Sequence, residues 1–335
     1  MSKKYYEPDH SKTSMPRWFN ASREASLAFV EKFCSASRPT SLFHYTSTSA
    51  LISIVRNNEL WLSDATFLND KAEIEHGRNL ACTRLDSAIC VEKSAEVKMM
   101  LELVVAKFKS RPDPNVYVAC FSMDGDDLTQ WRGYGQGGGS IAIEFEYGPL
   151  MFGYYSEGML QQVIYNTDDQ IWIFDMVILK YSKAYENDIL DPRPVVRKEP
   201  MSQEDEREIC AGKMYYNLWS YIAACKHQAF QSEREVRFTY TAHDYSLDKG
   251  DWYPQHPDPM FRESVGRIIP YLSSKGLNFK NMNSNERAPK LPIRTIRIGP
   301  TEDPELIKRG IKHLLNANNY EAVEITTSGS PFRPR

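Results

Sequence analysis

The stretch "AFQSEREVRFTY", residues 229–240, sets two carboxylates at the start of a segment in which apolar and polar residues alternate. A period of two predicts a β-strand, with Glu233, Glu235 and Arg237 on one face and the apolar side chains on the other, core-facing side. Two interpretations of this acid row are open: Arg237 neutralises it, or the acids face a cation that forms only during a reaction. An exposed ion pair contributes only about 0–1 kcal/mol, so stability is a weak reason for the row.

The composition is that of a water-soluble globular chain. It has 335 residues, of which 41% are hydrophobic and 25% charged. Its net charge of −3 gives no indication of a nucleic-acid partner. The N-terminus has no apolar signal-peptide core, and no run of about 18 apolar residues exists, so we expect no membrane partner. Six scattered cysteines without a CxxC pair predict reduced thiols and a cytoplasmic location.

Strand-like and helix-like segments follow one another without regular βαβ alternation. Strand patterns occur at residues 41–47, 116–122, 140–147, 235–240 and 293–300, and helical patterns occur near 71–110 and 167–229. Within the second helical region, the apolar residues 173–181 fit either a strand or a helix. Asp303 before Pro304 predicts a further helix start. This order predicts an α+β fold with a mostly antiparallel or mixed sheet. We expect an N-terminal polar segment and helix at residues 1–38, and a single domain at residues 39–335 with the two helical regions as insertions.

The glycine-rich stretch "GYGQGGGS" has GxGxxG spacing at Gly133, Gly135 and Gly138. A dinucleotide fingerprint needs a helix directly after it, whereas an alternating, strand-like segment follows here. The pattern therefore predicts a flexible glycine-rich connection. A second interpretation stays open, because glycines let the backbone approach a ligand and Arg132 beside them could meet a phosphate.

The seven histidines are dispersed, and no histidine or cysteine partner stands at metal-ligand spacing, so we predict no metal site. No Ser-His-Asp order or nucleophile elbow is readable either. His44 lies at the end of a short strand, where a structural role is more usual than a functional one. The acid row suits a different chemistry: breaking a glycosidic bond builds positive charge on the sugar, and a fixed carboxylate stabilises that cation without a metal.

Several motifs in sequence order resemble one bacterial family, catalogued as domain of unknown function 2971. They are "LFHYTSTSALISIVRNNELWLSDATFLND", "CFSMDGDDLTQWRGYG", "IAIEFEY", "FQSEREVRF", "IRIGP" and "VEITTSGSPFR", within residues 41–333. That family is similar to a distant branch of the ADP-ribosyltransferase superfamily. The resemblance implies a split mixed/antiparallel β core of ADP-ribosyltransferase type around an NAD cleft, with helical insertions and an N-terminal helix.

The resemblance also implies which residues bind NAD. His44 matches a first-strand histidine that holds a ribose hydroxyl in similar enzymes, with Tyr45, Thr46 and Ser47 beside it. The middle motif implies a second group, in which an aromatic side chain, Tyr134 or Trp131, packs on the nicotinamide. We add Arg132 to this group, because an arginine beside the glycines could contact the pyrophosphate. That group comprises Ser122, Trp131, Arg132 and Tyr134. The middle motif has neither the Ser-Thr-Ser form nor a clear paired-tyrosine form, which leaves the target class open.

The catalytic acid of the superfamily lies in a Gln/Glu-x-Glu pattern, which both Gln231-x-Glu233 and Glu233-x-Glu235 fit. Glu235 is favoured because it begins the alternating strand, with Glu233 as helper, and the opposite assignment stays open. One acid would stabilise the oxocarbenium charge as nicotinamide leaves, and the other would orient or deprotonate the nucleophile.

The resemblance thus implies an enzyme with NAD as substrate: an ADP-ribosyltransferase that modifies a protein or nucleic acid. In a bacterium such an activity suits a toxin or an anti-phage defence effector, and an inhibitor protein would be a further partner. Two alternatives stay open. One is a hydrolase of NAD or another N-glycoside, and the other is a non-catalytic module that binds a nucleotide or a partner protein.

Overall fold

A computed structural model describes residues 16–34, 39–67, 71–134, 140–148, 150, 159–191, 202–242, 257–264, 266–277 and 290–330. Among them the longer helices are α1 (Ala21–Cys34), α2 (Thr48–Asn57), α3 (Lys71–Val91), α4 (Ala95–Ser110), α5 (Leu128–Tyr134), α6 (Thr167–Leu190), α7 (Gln203–Ile222) and α8 (Pro304–Ala317). The strands are β1 (Ser41–Ser47), β2 (Trp61–Asp64), β3 (Val116–Ser122), β4 (Ser140–Glu146), β5 (Met159–Gln162), β6 (Glu235–Thr241), β7 (Met260–Ser264), β8 (Arg267–Ser273), β9 (Ile293–Ile298) and β10 (Glu324–Thr327).

One mixed sheet holds these strands together. Its main path runs β10-β9-β4-β1-β3-β2-β8-β7, and β6 pairs with β3 and β5. The β9–β10 pair is parallel, while the other strand pairs are antiparallel. The combination of helices with a mixed sheet confirms the predicted α+β class.

The sheet forks at β3. One edge of β3 pairs with β6 along residues 116–122. The other edge is shared, because β1 meets it at Ser122 whereas β2 meets it at Tyr117 and Val118. The two branches therefore diverge from a single central strand.

Two hydrophobic layers cover opposite faces of the sheet. Helices α1, α3, α4, α6 and α7 contribute to one large cluster, which also takes Val116 and Val118 from β3. Helices α2 and α8 pack on the other face, over residues such as Leu42, Ile143 and Phe238. Burial on both faces explains why the central strand β3 is a nearly continuous apolar run in the sequence.

Local signals set several helix starts. Asn166 caps α6 by accepting from the backbone N–H groups of residues 168 and 169, and Ser202 caps α7 in the same manner. Asp303 caps α8, with Pro304 at its first position, which confirms the start predicted from that dipeptide. The helical patterns near 71–110 and 167–229 correspond to α3, α4, α6 and α7.

The N-terminal helix packs into the same core as the longer helices. Trp18, Ala21, Ala25 and Phe29 are buried in the cluster that contains α6 and α7. No helix in the described part of the chain is both long and apolar enough to cross a membrane.

Strand β6 differs from its sequence-based prediction in two ways. Every residue of β6 is buried, because α7 covers the face that carries Glu235 and Arg237. Glu233 precedes the strand: it ends a 3-10 turn, Gln228–Glu233, and Arg234 follows with a left-handed backbone, φ 45°. The expectation of an outward acid row on one strand face is therefore wrong.

Candidate functional site

Glu235 lies in a buried ion network beneath α7. Its carboxylate accepts two parallel bonds from the Arg237 guanidinium, Nε to Oε1 at 2.8 Å and Nη2 to Oε2 at 3.0 Å. The Lys226 ammonium donates a third bond to Oε2 at 3.1 Å. This bidentate geometry is the strongest form of carboxylate–arginine contact. Arg237 is thus the ion-pair partner of Glu235, as the first of the two interpretations of the acid row proposed.

Lys226 joins the two acids into one group, which we call the acid cluster: Lys226, Glu233, Glu235 and Arg237. The Lys226 Nζ lies 2.5 Å from the Glu233 Oε2, and it also lies 4.9 Å from the centre of the Phe230 ring. The Glu233 side chain is 21% exposed, against 7% for Glu235. Of the two acids, only Glu233 can therefore meet a substrate without a rearrangement of the cluster.

Burial and charge act in opposite directions on Glu235. Burial raises the pKa of its carboxyl, but the charge and hydrogen bonds of Arg237, with the charge of Lys226, outweigh that effect and lower the pKa to about 2. The carboxylate therefore stays ionised at neutral pH. Arg237 and Lys226 compensate this charge, so the ionised Glu235 holds the two cations in fixed positions.

Three further contacts hold the turn in place. The Arg237 Nη1 donates to the carbonyl of Ala223 at the end of α7, at 2.8 Å. The Tyr165 hydroxyl accepts from the backbone N–H of Glu235 at 2.9 Å. The Ser122 hydroxyl donates to the carbonyl of Glu233 at 2.9 Å. The acid cluster is thus tied to β3, to α7 and to the segment before α6.

Strand register extends this face of the sheet away from the cluster. Residues directly opposite each other on paired strands share a face. Glu235 is opposite Ser122, Ser122 is opposite Phe43, and Phe43 is opposite Glu144, which is opposite Thr295. One row therefore crosses β6, β3, β1, β4 and β9 on the same face.

The far part of this row forms the floor of a polar groove of about 580 Å³. We call it the arginine groove; its lining includes Arg234, Phe43, Glu144, Arg294, Arg297 and Thr326. Arg234 is the residue between the two acids, so one end of the groove lies at the turn that carries them. A second cavity of about 640 Å³ lies between α4 and α7 and is lined by none of the residues that the sequence singled out.

His44 lies on the opposite face of the sheet from Glu235. Phe43 shares the face of Glu235, so His44, the next residue of β1, points to the other side. Its Nδ1 is 2.9 Å from the carbonyl oxygen of Cys120, its ring contacts Phe121, and burial lowers the pKa of the imidazole. The structure does not bring His44 together with the acids.

Tyr45 and Trp131 are part of the packed interior. The Tyr45 hydroxyl donates to the carbonyl of Asp124 and accepts from the N–H of Asp127, both at 2.9 Å, and burial raises its pKa. Trp131 is fully buried, its ring meets Tyr45 edge-on at 4.7 Å, and its Nε1 donates to Asp126 at 2.7 Å. Both aromatic rings support the loop before α5, and neither offers an open face to a nicotinamide.

The remaining predicted ligand residues are dispersed. Thr46 is buried, and Ser47 caps α2 by accepting from the N–H of Ala50. Ser122 is engaged beneath the acid turn, and Arg132 is exposed on α5. The side chain of Tyr134 lies outside the described residues, as do the glycines of the motif after it.

Sequence reasoning missed the residues that complete the site. Lys226 follows a helical pattern seven positions before Glu233, and nothing local marks it as a partner of two acids. Arg294 and Arg297 were visible as cations in the strand "IRTIRIGP". Their meeting with Glu144 depends on the β4–β9 pairing, which no local pattern predicts.

The comparison with known families supports part of the resemblance. Residues 130–238 match the family model described as a protein of unknown function, DUF2971. This match confirms the family resemblance over that segment, which contains the whole acid cluster, and it is narrower than the expected residues 41–333. No curated protein and no solved structure matches the chain. The likeness to ADP-ribosyltransferases stays a prediction.

Proposed function

We propose that this chain, whose DUF2971 segment carries the acid cluster, is an ADP-ribosyltransferase that cleaves NAD and transfers ADP-ribose to a protein or nucleic acid. One observation carries the proposal: the Glu233 carboxylate is partly exposed and held by Lys226, and the next residue, Arg234, lines a polar groove. The forked mixed sheet supports it, because the superfamily that the motifs resemble has a split mixed β core. The biological settings of a toxin or defence effector, and an inhibitor partner, belong to the same proposal.

The roles of the two acids follow from their exposure. Glu233 would stabilise the positive charge that develops on the nicotinamide ribose, because its carboxylate reaches solvent. Glu235 would hold Lys226, and through it Glu233, in position, because all its strong contacts are inside the cluster. This order reverses the one favoured from the sequence, where Glu235 came first.

The reaction balances with groups that the proposal names. The bond between the ribose C1′ and the nicotinamide nitrogen breaks, and its electron pair leaves with the neutral nicotinamide. An oxygen or nitrogen of the acceptor then forms a bond to C1′ and loses its proton to a nearby carboxylate and from there to water. Water in place of the acceptor would give free ADP-ribose.

A second candidate, a non-catalytic nucleotide-binding module, is favoured by the charge balance of the acid cluster. Two carboxylates face two cations, Lys226 and Arg237, and the buried pair has the geometry of a structural anchor. The experiment below separates this candidate from both enzymes.

The test is nicotinamide release from NAD by the full chain, with and without bacterial lysate. Glu233→Gln keeps the shape of the side chain and removes its charge, and we expect a loss of about 100-fold or more. Glu102→Gln is the matched control, because Glu102 lies exposed on α4, remote from the groove. Release that needs lysate, with label on a macromolecule, supports transfer, whereas free ADP-ribose without lysate supports hydrolysis.

Two results would overturn the proposal. One is an absence of release in both conditions together with no binding of NAD by calorimetry. The other is release that Glu233→Gln leaves unchanged.

A further inference from the structure

The arginine groove gathers cations from two distant parts of the chain. Arg294 and Arg297 come from β9, while Arg234 comes from the turn before β6. From Thr295, which lies between the β9 arginines, to Glu235 the row described above makes four inter-strand steps, a span of about 19 Å at about 4.8 Å per step. The groove therefore offers cations at an end near the acids and at an end remote from them.

These cations are only weakly neutralised by the acids around them. Glu144 accepts from the Ser41 hydroxyl at 2.6 Å and lies 3.9 Å from Arg294, whose side chain is 60% exposed, so this ion pair contributes little. Glu324 also lines the groove, and Asp126 lies within electrostatic reach of Arg297. The Arg297 Nε makes a long contact with the Thr326 hydroxyl, at 3.5 Å.

The Arg234 side chain has no hydrogen-bond or ion-pair partner among the described residues. Its backbone, by contrast, is fixed: the carbonyl accepts from the N–H of Met123 at 3.0 Å, and the N–H donates to Gln231. A cationic side chain on a fixed backbone, aimed into a groove with two further arginines, is arranged for an anion that the protein itself does not supply.

An aromatic ring separates the two groups of cations. Phe43 is half-buried on the groove floor, between β3 and β4 in the row. Its ring packs against Gly125 so closely that a β-carbon there would lie 2.3 Å from it. The ring is therefore held in place and presents an apolar surface in a mostly polar groove.

We infer that the arginine groove binds the diphosphate of a nucleotide, with Arg294 and Arg297 on the phosphates and Phe43 beneath a ring of the ligand. Planar guanidinium groups match phosphate oxygens in pairs, and Thr326 adds a hydroxyl donor. A long polyanion fits less well, because Glu144 and Glu324 line the same groove and the chain carries a net charge of −3. The identification of this nucleotide with NAD rests on the proposed function.

The test is calorimetric binding of ADP and of inorganic pyrophosphate to the full chain. Arg297→Gln and Arg294→Gln should each weaken ADP binding about 10-fold, which equals the loss of about 1.4 kcal/mol of charge-assisted hydrogen bonding. Arg309→Gln is the matched control, since Arg309 is exposed on α8 and does not line the groove. Thermal melts of all the variants establish that they fold.

The outcomes separate this inference from the proposed function. ADP binding that depends on the β9 arginines, without any nicotinamide release, supports the groove and overturns the enzyme. If nicotinamide is released from NAD, and Arg294→Gln and Arg297→Gln leave ADP binding unchanged, the enzyme is supported and the assignment of the groove is overturned. No binding of ADP or pyrophosphate, or tighter arginine-dependent binding of a single-stranded oligonucleotide, overturns the assignment to a nucleotide diphosphate.

Discussion

Replacing Arg237 by methionine should show how much the acid cluster contributes to the free energy of unfolding. The substitution keeps a long apolar side chain but removes the two bonds to Glu235 and the bond to the carbonyl of Ala223. A folded pKa of about 2 for Glu235, against the usual 4.5, corresponds to about 3 kcal/mol of net stabilisation of its ionised form. Because breaking a buried pair also leaves a charge without its partner, we expect a loss of about 3–5 kcal/mol at pH 7.

The loss should shrink as the pH falls. The pKa of Glu235 is lowered in the folded protein, so its contribution is complete above about pH 4.5 and disappears as the pH falls toward 2. Without Arg237 the pKa of Glu235 rises, so the variant takes up this proton at a higher pH than the wild type does. The difference in unfolding free energy between the two proteins should therefore be largest at neutral pH.

Urea unfolding at pH 7 and at pH 3, inside the range in which Glu235 titrates, measures both effects. Arg234→Met is the matched control, three residues earlier and exposed, and it should change stability by no more than about 0.5 kcal/mol. Combining Glu235→Gln with Arg237→Met should cost less than the sum of the two single changes, because each partner is unsatisfied only when the other remains charged. A loss below about 1 kcal/mol for Arg237→Met, equal at both pH values, would refute the buried ion network as described.

Two further predictions test the lysine of the cluster and a close contact beside α5. Lys226→Met should lower nicotinamide release about 100-fold, because it frees the Glu233 side chain. Lys226→Arg should restore much of the activity. Equal loss of activity in both variants would argue against a positioning role for Lys226. Gly299→Ala should destabilise by about 1–3 kcal/mol, because its β-carbon would lie 2.1 Å from the Ser140 hydroxyl. Its control is Gly310→Ala, which has open space on α8 and should stabilise by about 1 kcal/mol; denaturant unfolding that ranks the two alike would contradict the packing.

The elements of the fold were largely predictable because their signals are local. The alternation in β4 and β6, the apolar run of β3 and the Asp303–Pro304 start of α8 depend on residues that are neighbours in the chain. A strand or a helix cap is decided within a few residues, so a single sequence suffices to identify it.

The faces of those elements were not predictable in the same way. The two-residue repeat of a β-strand predicts that the side chains of His44 and Phe43 point to opposite faces of the sheet. Only the pairing of β1 with β3, and of β3 with β6, decides which of them shares a face with Glu235. In the same way, β6 alternates like a half-exposed strand, yet α7 covers the face of its charged residues.

The sequence by itself determined that Glu235 begins a strand, with a second acid two residues earlier, and that the chain is an α+β protein. Only the tertiary structure decided that Glu235 is buried and held by Arg237, and that Glu233 stays accessible beside Lys226. It also decided that the β9 arginines line the same groove as Arg234. The physical reason is that charge partnership depends on distances of a few ångströms between segments far apart in sequence. Those distances are set by strand register and helix packing.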